Sequence, residues 1–128
     1  MATYSVTVTW KRAGARYTDN RYSRAHEWSF DGGITVPASA SPHVVPVPLS
    51  DPHAVDPEEA FVVALSSCHM LRFLSIAAKR GFVVDSYSDN AVGHMERNGA
   101  GRLAITRVRL RPQVQCSGRV TPDATQLK

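Results

Sequence analysis

The fold of this chain is decided by residues 56–81, which read DPEEAFVVALSSCHMLRFLSIAAKRG. Three residues at its start are typical of a helix N-terminus. Asp56 can cap the free N–H groups, Pro57 suits the first helical position, and Glu59 completes a capping box with Asp56. At the other end, Gly81 can adopt the left-handed conformation that stops a helix. The stretch therefore predicts one long helix.

This predicted helix is apolar on more than one side. Its apolar residues are Phe61, Val62, Val63, Ala64, Leu65, Met70, Leu71, Phe73, Leu74, Ile76, Ala77 and Ala78. A helix that is apolar on most of its circumference is buried by its surroundings. We therefore expect it to be a long buried central helix, in the core of this domain or of a dimer.

Length, charge and cysteine content limit the class of protein. The chain has 128 residues, a net charge of +4 and two cysteines. The length favours a single domain over residues 1–128, and the mild charge permits anionic partners without demanding them. No signal peptide is expected, so we expect a cytoplasmic protein with free thiols. We expect no membrane span, because the apolar run is broken by Ser66, Ser67, His69 and Arg72.

Strand patterns lie before the helix. Thr3–Trp10 alternates between apolar and polar residues, and His26–Phe30 and Ile34–Val36 flank a glycine turn, which predicts a strand followed by a hairpin. Lys11–Arg24 is a polar, basic loop. Pro37–Pro57 holds six of the eight prolines, so we expect a long ordered loop there.

More strands are predicted after the helix, at Phe82–Tyr87, Ala91–Arg97 and Leu103–Cys116. Hairpins before and after one helix indicate an α+β fold. Thr121 and Pro122 are typical of a second helix start, yet few residues follow them. We therefore expect the domain to lack its C-terminal helix and last strand in this sequence.

Cys68 lies in the middle of the long helix. Free cysteines are often buried and inert. Cys68 is about three turns from the helix start, beyond the reach of the N-terminal dipole, so a reactive thiolate there needs a cation from elsewhere. The basic loop is the obvious source, with Arg12, Arg16, Arg21 and Arg24.

The spacing of Glu58 and Cys68, in a long apolar helix that ends in Lys79-Arg80-Gly81-Phe82, resembles the OsmC/Ohr family of thiol-dependent hydroperoxide reductases. The segment His26–Gly33, HEWSFDGG, resembles one OsmC-like subgroup. The resemblance implies an intertwined homodimer with a curved antiparallel sheet around the central helices. It also implies reduction of organic hydroperoxides in oxidative stress defence, with a pair of cysteines and no cofactor.

By this resemblance, Cys68 matches the peroxidatic cysteine and Glu58 the glutamate. Arg24 is the matching arginine, and Arg21 is the alternative. The thiolate would attack the peroxide and become a sulfenic acid, while the arginine favours the thiolate and donates hydrogen bonds to the leaving oxygen. On one helix Glu58 and Cys68 are separated by about 15 Å, so we expect Glu58 to serve the site of the partner subunit.

By the resemblance, the second, resolving cysteine lies on the next helix, which is expected to begin where this sequence stops. Cys116 is not expected to be that residue, because it ends a strand and is expected in the core. An external thiol would then have to reduce the sulfenic acid. The alternative is an OsmC-like binding or structural protein without peroxidase turnover.

Nucleic-acid and metal binding are not expected. The row of Arg107, Arg109 and Arg111 lacks interleaved aromatic residues and is expected to be the solvated face of a strand. His26, His53 and His69 show no metal-ligand spacing with Cys68.

Overall fold

The computed structural model describes residues 2–118. The elements are β1 (Val6–Thr9), a 3-10 turn (Tyr17–Asp19), β2 (His26–Phe30), β3 (Thr35–Ala38), α1 (Pro57–Lys79), β4 (Val83–Asp89), β5 (Val92–Arg97), β6 (Leu103–Arg109) and β7 (Pro112–Ser117). The fold is mixed α+β with one long helix and antiparallel sheets, as predicted. The chain divides into two compact units, Met1–Ala60 and Phe61–Lys128. The predicted helix start at Thr121 lies outside the described residues.

The first unit contains a three-stranded antiparallel sheet in the order β1-β2-β3. Trp28 of β2 lies opposite Val8 on one side and Val36 on the other, which confirms the predicted hairpin. Pro37 lies in the edge strand β3, where a residue without an N–H group is tolerated.

The proline-rich segment after β3 forms turns without a helix or a further strand. Ser39 is fully buried there. Its backbone N–H donates to the carbonyl of Val55 (3.0 Å), and its Oγ accepts from the backbone N–H of Asp51 (2.9 Å). These bonds tie the segment together and confirm an ordered loop.

Both ends of α1 have the predicted caps. The backbone N–H of Glu59 donates to Oδ1 of Asp56 (2.8 Å), and the backbone N–H of Asp56 donates to Oε1 of Glu59 (3.2 Å). Gly81 has a φ of +82°. The N–H of Phe82 donates to the carbonyl of Ala77 (3.0 Å), which is the bond expected after a left-handed helix end.

The second unit contains two separate ladders, β4-β7 and β5-β6. The prediction of one strand over Leu103–Cys116 is therefore wrong. Pro112 has no N–H to donate, and the N–H of Arg111 donates to Oδ1 of Asp89 (2.6 Å) instead of to a strand. The ladder is also irregular between His94 and Met95, which leaves Thr106 unpaired and exposed rather than on the inner face.

One stripe of α1 packs on the strands of the second unit. The Oγ of Ser66 donates to Oδ2 of Asp89 (2.5 Å), and the Phe73 ring lies 5.7 Å from the Tyr87 ring. A methyl group added to Gly93 of β5 would lie 2.5 Å from Cγ2 of Val62, so helix and strand approach very closely there. The spacing of these helix residues is that of a single helix face.

Much of the rest of α1 is exposed in the single chain, so residues 2–118 of one copy do not supply the burial that the sequence predicts from its own domain or from a dimer. Ala77 is its one fully buried residue, whereas Val63 is 66% and Leu71 is 60% exposed. The strands cover one stripe, but the sequence is apolar on most of the circumference. By length and composition alone this helix could also cross a membrane, a criterion that core helices of soluble proteins meet as well. That no membrane is involved remains a prediction.

Candidate functional site

Cys68 lies on the exposed part of α1 and carries a free thiol. Cys116 also carries a free thiol, but it is half-buried on β7, opposite Val84 of β4. The sequence predicts Cys116 in the core, whereas in the structure Cys116 is half-buried and Cys68 is exposed.

Arg24 is half-buried, and its guanidinium is held by its own loop. Nη1 donates to the backbone carbonyls of Asn20 (3.2 Å) and Tyr22, and Nη2 donates to Oδ1 of Asn20 (3.0 Å). Its Cζ lies 3.7 Å from the centroid of the Tyr22 ring, in a cation–π contact.

The backbone of Arg24 is fixed as well. Its N–H donates to the carbonyl of Leu49 (2.7 Å), and its carbonyl lies 2.8 Å from Nδ1 of His26. Trp28 Nε1 donates to Nε2 of the same imidazole (3.1 Å). Both bonds form when His26 is neutral with its proton on Nδ1, so that Nδ1 donates and Nε2 accepts. The strand after the loop therefore anchors Arg24 in place.

Arg21, the alternative arginine, is placed differently. Arg21 is exposed, and its backbone N–H donates to Oδ1 of Asp19 (3.0 Å). Within residues 2–118 its guanidinium makes no hydrogen bond or ion pair. Of the two candidates, Arg24 is the one with a defined orientation.

Glu58 lies in the first turn of α1 and is half-buried. Its Oε2 is buried and has no hydrogen-bond partner in the described part of the chain. A buried carboxylate oxygen without a donor is costly, so a donor from outside this set of contacts is expected. The neighbouring Glu59 is the residue that caps the helix, and the pKa of its carboxyl is raised, chiefly by the side-chain hydrogen bond with Asp56.

The three predicted site residues are divided between the two units. Arg24 and Glu58 belong to the first unit and Cys68 to the second. Across residues 2–118, no hydrogen bond or ion pair joins Arg24 to Glu58, and the ion pair present joins Arg107 to Glu96 (2.9 Å). Arg107, which the sequence predicts on the solvated face of a strand, is exposed and forms this surface ion pair.

Sequence reasoning missed the partners of Arg24. Asn20 has a φ of +62°, a left-handed conformation that asparagine tolerates in turns, and its bonds to Arg24 are not predicted from the sequence. The available signal was the local spacing, since Asn20, Tyr22 and Arg24 alternate along one short segment.

Two other possible sites of chemistry are the Tyr87 hydroxyl and a metal-binding group. The hydroxyl of Tyr87 is buried and has no hydrogen-bond partner among the residues that the structure describes. This burial, together with the charge of Asp89, raises the pKa of Tyr87, so the phenol stays protonated at neutral pH. Among the residues that the structure describes, no group of three or more His, Cys, Asp or Glu side chains could hold a metal ion.

Comparison with known proteins gives a consistent result. The family model for OsmC-like protein matches residues 50–127. A solved OsmC-like protein of unknown function from Vibrio cholerae is 61% identical, with a TM-score of 0.95, over 99% of this chain and 83% of that chain. An OsmC-like protein from Mycoplasma pneumoniae is 13% identical, with a TM-score of 0.67, over 98% of this chain and 75% of that chain, and it supports the fold alone. No match was found among the curated proteins. The chain therefore belongs to the OsmC-like protein family.

Proposed function

We propose that this protein is a thiol-dependent peroxidase that reduces organic hydroperoxides through Cys68. The observation that carries the proposal is the free, exposed thiol of Cys68 on α1, at the position that matches the peroxidatic cysteine by resemblance. Family membership supports the proposal, although the similar Vibrio cholerae protein has no known function. The guanidinium of Arg24, which is fixed by Asn20 and by the Tyr22 ring, is a cation of the kind that a reactive thiolate needs.

The proposed reaction has two steps. The Cys68 thiolate attacks the terminal peroxide oxygen, an S–O bond forms, the O–O bond breaks, and the leaving alkoxide takes a proton to become an alcohol. The sulfur is oxidised to a sulfenic acid. Two equivalents of an external thiol then return it to the thiol, with release of water and formation of a disulfide between the two external thiols. A reducing cytoplasm would supply such thiols.

We propose that the active form is a homodimer in which Glu58 of one copy serves Cys68 of the other. Two observations support this arrangement. A large part of α1 is apolar and exposed in one chain, with Val63 and Leu71 each more than half exposed. In addition, the buried Oε2 of Glu58 has no donor within residues 2–118. A second copy would cover the helix and bring further donors near Glu58.

The test is consumption of cumene hydroperoxide by the purified protein with dithiothreitol as the external thiol. The wild type should consume the peroxide under these conditions, and in a parallel reaction without dithiothreitol it should gain one oxygen at Cys68 by intact and peptide mass spectrometry. The Cys68→Ser variant should fall to the uncatalysed background. The Cys116→Ser variant is the matched control, because it removes the other thiol, and it should retain the wild-type rate.

An OsmC-like binding or structural protein gives a different result. In that case Cys68 stays unmodified in the folded wild type under excess peroxide, and Cys68→Ser changes nothing in the assay. Either result would remove the peroxidase proposal in favour of the binding alternative.

A further inference from the structure

The guanidinium of Arg24 has five N–H donors in a fixed plane. Asn20 accepts from both terminal nitrogens, with its carbonyl 3.2 Å from Nη1 and its Oδ1 3.0 Å from Nη2. The carbonyl of Tyr22 accepts a second bond from Nη1. Three of the five donors are therefore engaged, and all three acceptors come from a segment of the chain just before Arg24.

The face of the same guanidinium rests on Tyr22, whose ring is itself held in place. The Tyr22 and Tyr17 rings are stacked with centroids 4.8 Å apart, and the edge of Trp10 meets Tyr22 at 5.5 Å and 71°. Trp10 Nε1 donates to the carbonyl of Ser23 (2.8 Å), which fixes the indole. This aromatic cluster of Trp10, Tyr17 and Tyr22 stops the ring, and with it the guanidinium, from turning.

Two donors of Arg24 remain, Nε–H and one N–H of Nη2. If Asn20 takes the two hydrogens of Nη1 and Nη2 that face each other at the end of the group, both remaining donors lie along one edge. Neither of these two makes a hydrogen bond to the described residues. Two parallel donors of this kind match a carboxylate or a developing oxyanion.

We propose that Asn20 and Tyr22 are positioning residues of the peroxidase site, which hold Arg24 so that its Nε edge is presented to the reacting groups. The inference rests on the proposed function, which gives Arg24 its role. Donors that are oriented before the reaction stabilise developing charge without reorganisation at that moment. A residue that fixes the donor therefore affects the rate without touching the substrate.

The chain offers two matched pairs of variants. Asn20→Gly keeps the positive φ that position 20 requires and removes Oδ1, whereas Asn20→Asp keeps an acceptor oxygen at the same place. Tyr22→Leu removes the aromatic face, whereas Tyr22→Phe keeps it. Arg24→Lys removes the guanidinium, so the signals that disappear in this variant identify the Arg24 side-chain N–H groups in the NMR spectrum.

The first measurement is the second-order rate constant for oxidation of Cys68 by cumene hydroperoxide. Asn20→Gly and Tyr22→Leu should each be slower by about tenfold to a hundredfold, the range that misplacement of a reacting group produces. Asn20→Asp and Tyr22→Phe should restore most of the rate. Rates that fall equally in both members of a pair, or in neither, would overturn the inference.

The second measurement does not depend on peroxide chemistry. In ¹⁵N-labelled protein the Arg24 side-chain N–H signals should be separate and sharp, because rotation of the guanidinium is restricted. They should merge or broaden in Asn20→Gly and persist in Asn20→Asp. If the wild type failed to react with peroxide but kept these signals, the proposed function alone would fail. If the wild-type signals were already averaged, the positioning role would be wrong whatever the enzyme activity.

Discussion

The loop around Arg24 and the exposed face of α1 contrast in how far one chain completes their interactions. In the loop, Asn20 and Tyr22 satisfy three guanidinium donors, and Leu49 and His26 fix the backbone. On the helix, Val63 and Leu71 remain largely exposed. The hydrogen bonds of the loop are completed by neighbouring residues, whereas residues 2–118 leave much of the apolar helix face uncovered.

The difference follows from the range of the two kinds of interaction. Hydrogen bonds are directional and act within about 3 Å, so a few residues close in sequence can complete them. Apolar burial is non-directional and scales with area, so it demands a large complementary surface from anywhere, including a second copy. A polar loop can therefore be complete within a single chain, whereas an apolar helix can require an assembly.

The largest expected effect comes from a charge on the exposed helix face. Leu71→Lys should convert the proposed dimer into a single copy, measured by light scattering after size exclusion. The loss of Leu71 burial costs about 1.5–3 kcal/mol per copy, and an unpaired buried ammonium adds to it. Leu103→Lys is the control, because Leu103 on β6 is 57% exposed, close to the value for Leu71 but on another element.

Two outcomes would contradict the dimer. The wild type could have the mass of a single copy, or Leu71→Lys could keep the mass of two. A wild type that floats with phosphatidylcholine vesicles would instead indicate that lipid covers the helix.

The next effect tests the covered side of the same helix. Gly93→Ala places a methyl group 2.5 Å from Cγ2 of Val62, so the free energy of unfolding should fall by about 1–3 kcal/mol. Urea denaturation measures it. Gly99→Ala is the matched control, since a methyl group there meets nothing within 4 Å. Adding Val62→Ala to Gly93→Ala should give a smaller loss than the sum of the two single changes. Strict additivity would mean that helix and strand are not in contact.

The smallest effect concerns the start of α1, where the pKa of Glu59 is raised above its ordinary value of 4.5. A raised pKa means that the folded state binds the proton more tightly than the unfolded state. The contribution of Glu59 to stability is therefore complete below pH 4.5 and is lost as pH rises through the folded pKa. The advantage of the wild type over Glu59→Gln, from urea midpoints, should be greater at pH 4 than at pH 7. The reverse order would contradict the raised pKa.

The sequence predicted those features whose signals are local. The capping box of Asp56 and Glu59, the stop at Gly81 and the β2–β3 hairpin depend on residues a few positions apart, and all are confirmed. The single strand over Leu103–Cys116 was wrong because alternation continues through the break at Leu110 and Arg111. Burial of the helix could not be decided from one sequence, since apolar residues do not specify which surface covers them.

The candidate site shows the same division. Family resemblance selected Cys68, Glu58 and Arg24, but neither pattern nor spacing could show that Asn20 accepts hydrogen bonds from both terminal nitrogens of the guanidinium. That contact depends on the left-handed backbone of Asn20 and on the fold of the whole loop. Composition alone also could not distinguish the held Arg24 from the exposed Arg21.

The hydrogen bonds of Asp89 bear on local opening of the second unit. Its carboxylate accepts from Ser66 on α1 and from the N–H of Arg111 at the corner between β6 and β7. The Asp89 side chain thus hydrogen-bonds to the helix and to the corner at the same time. We expect release of the helix to free this carboxylate, so that the Arg111 amide exchanges with deuterium more readily. The exchange rate of that backbone amide would then report whether α1 is docked.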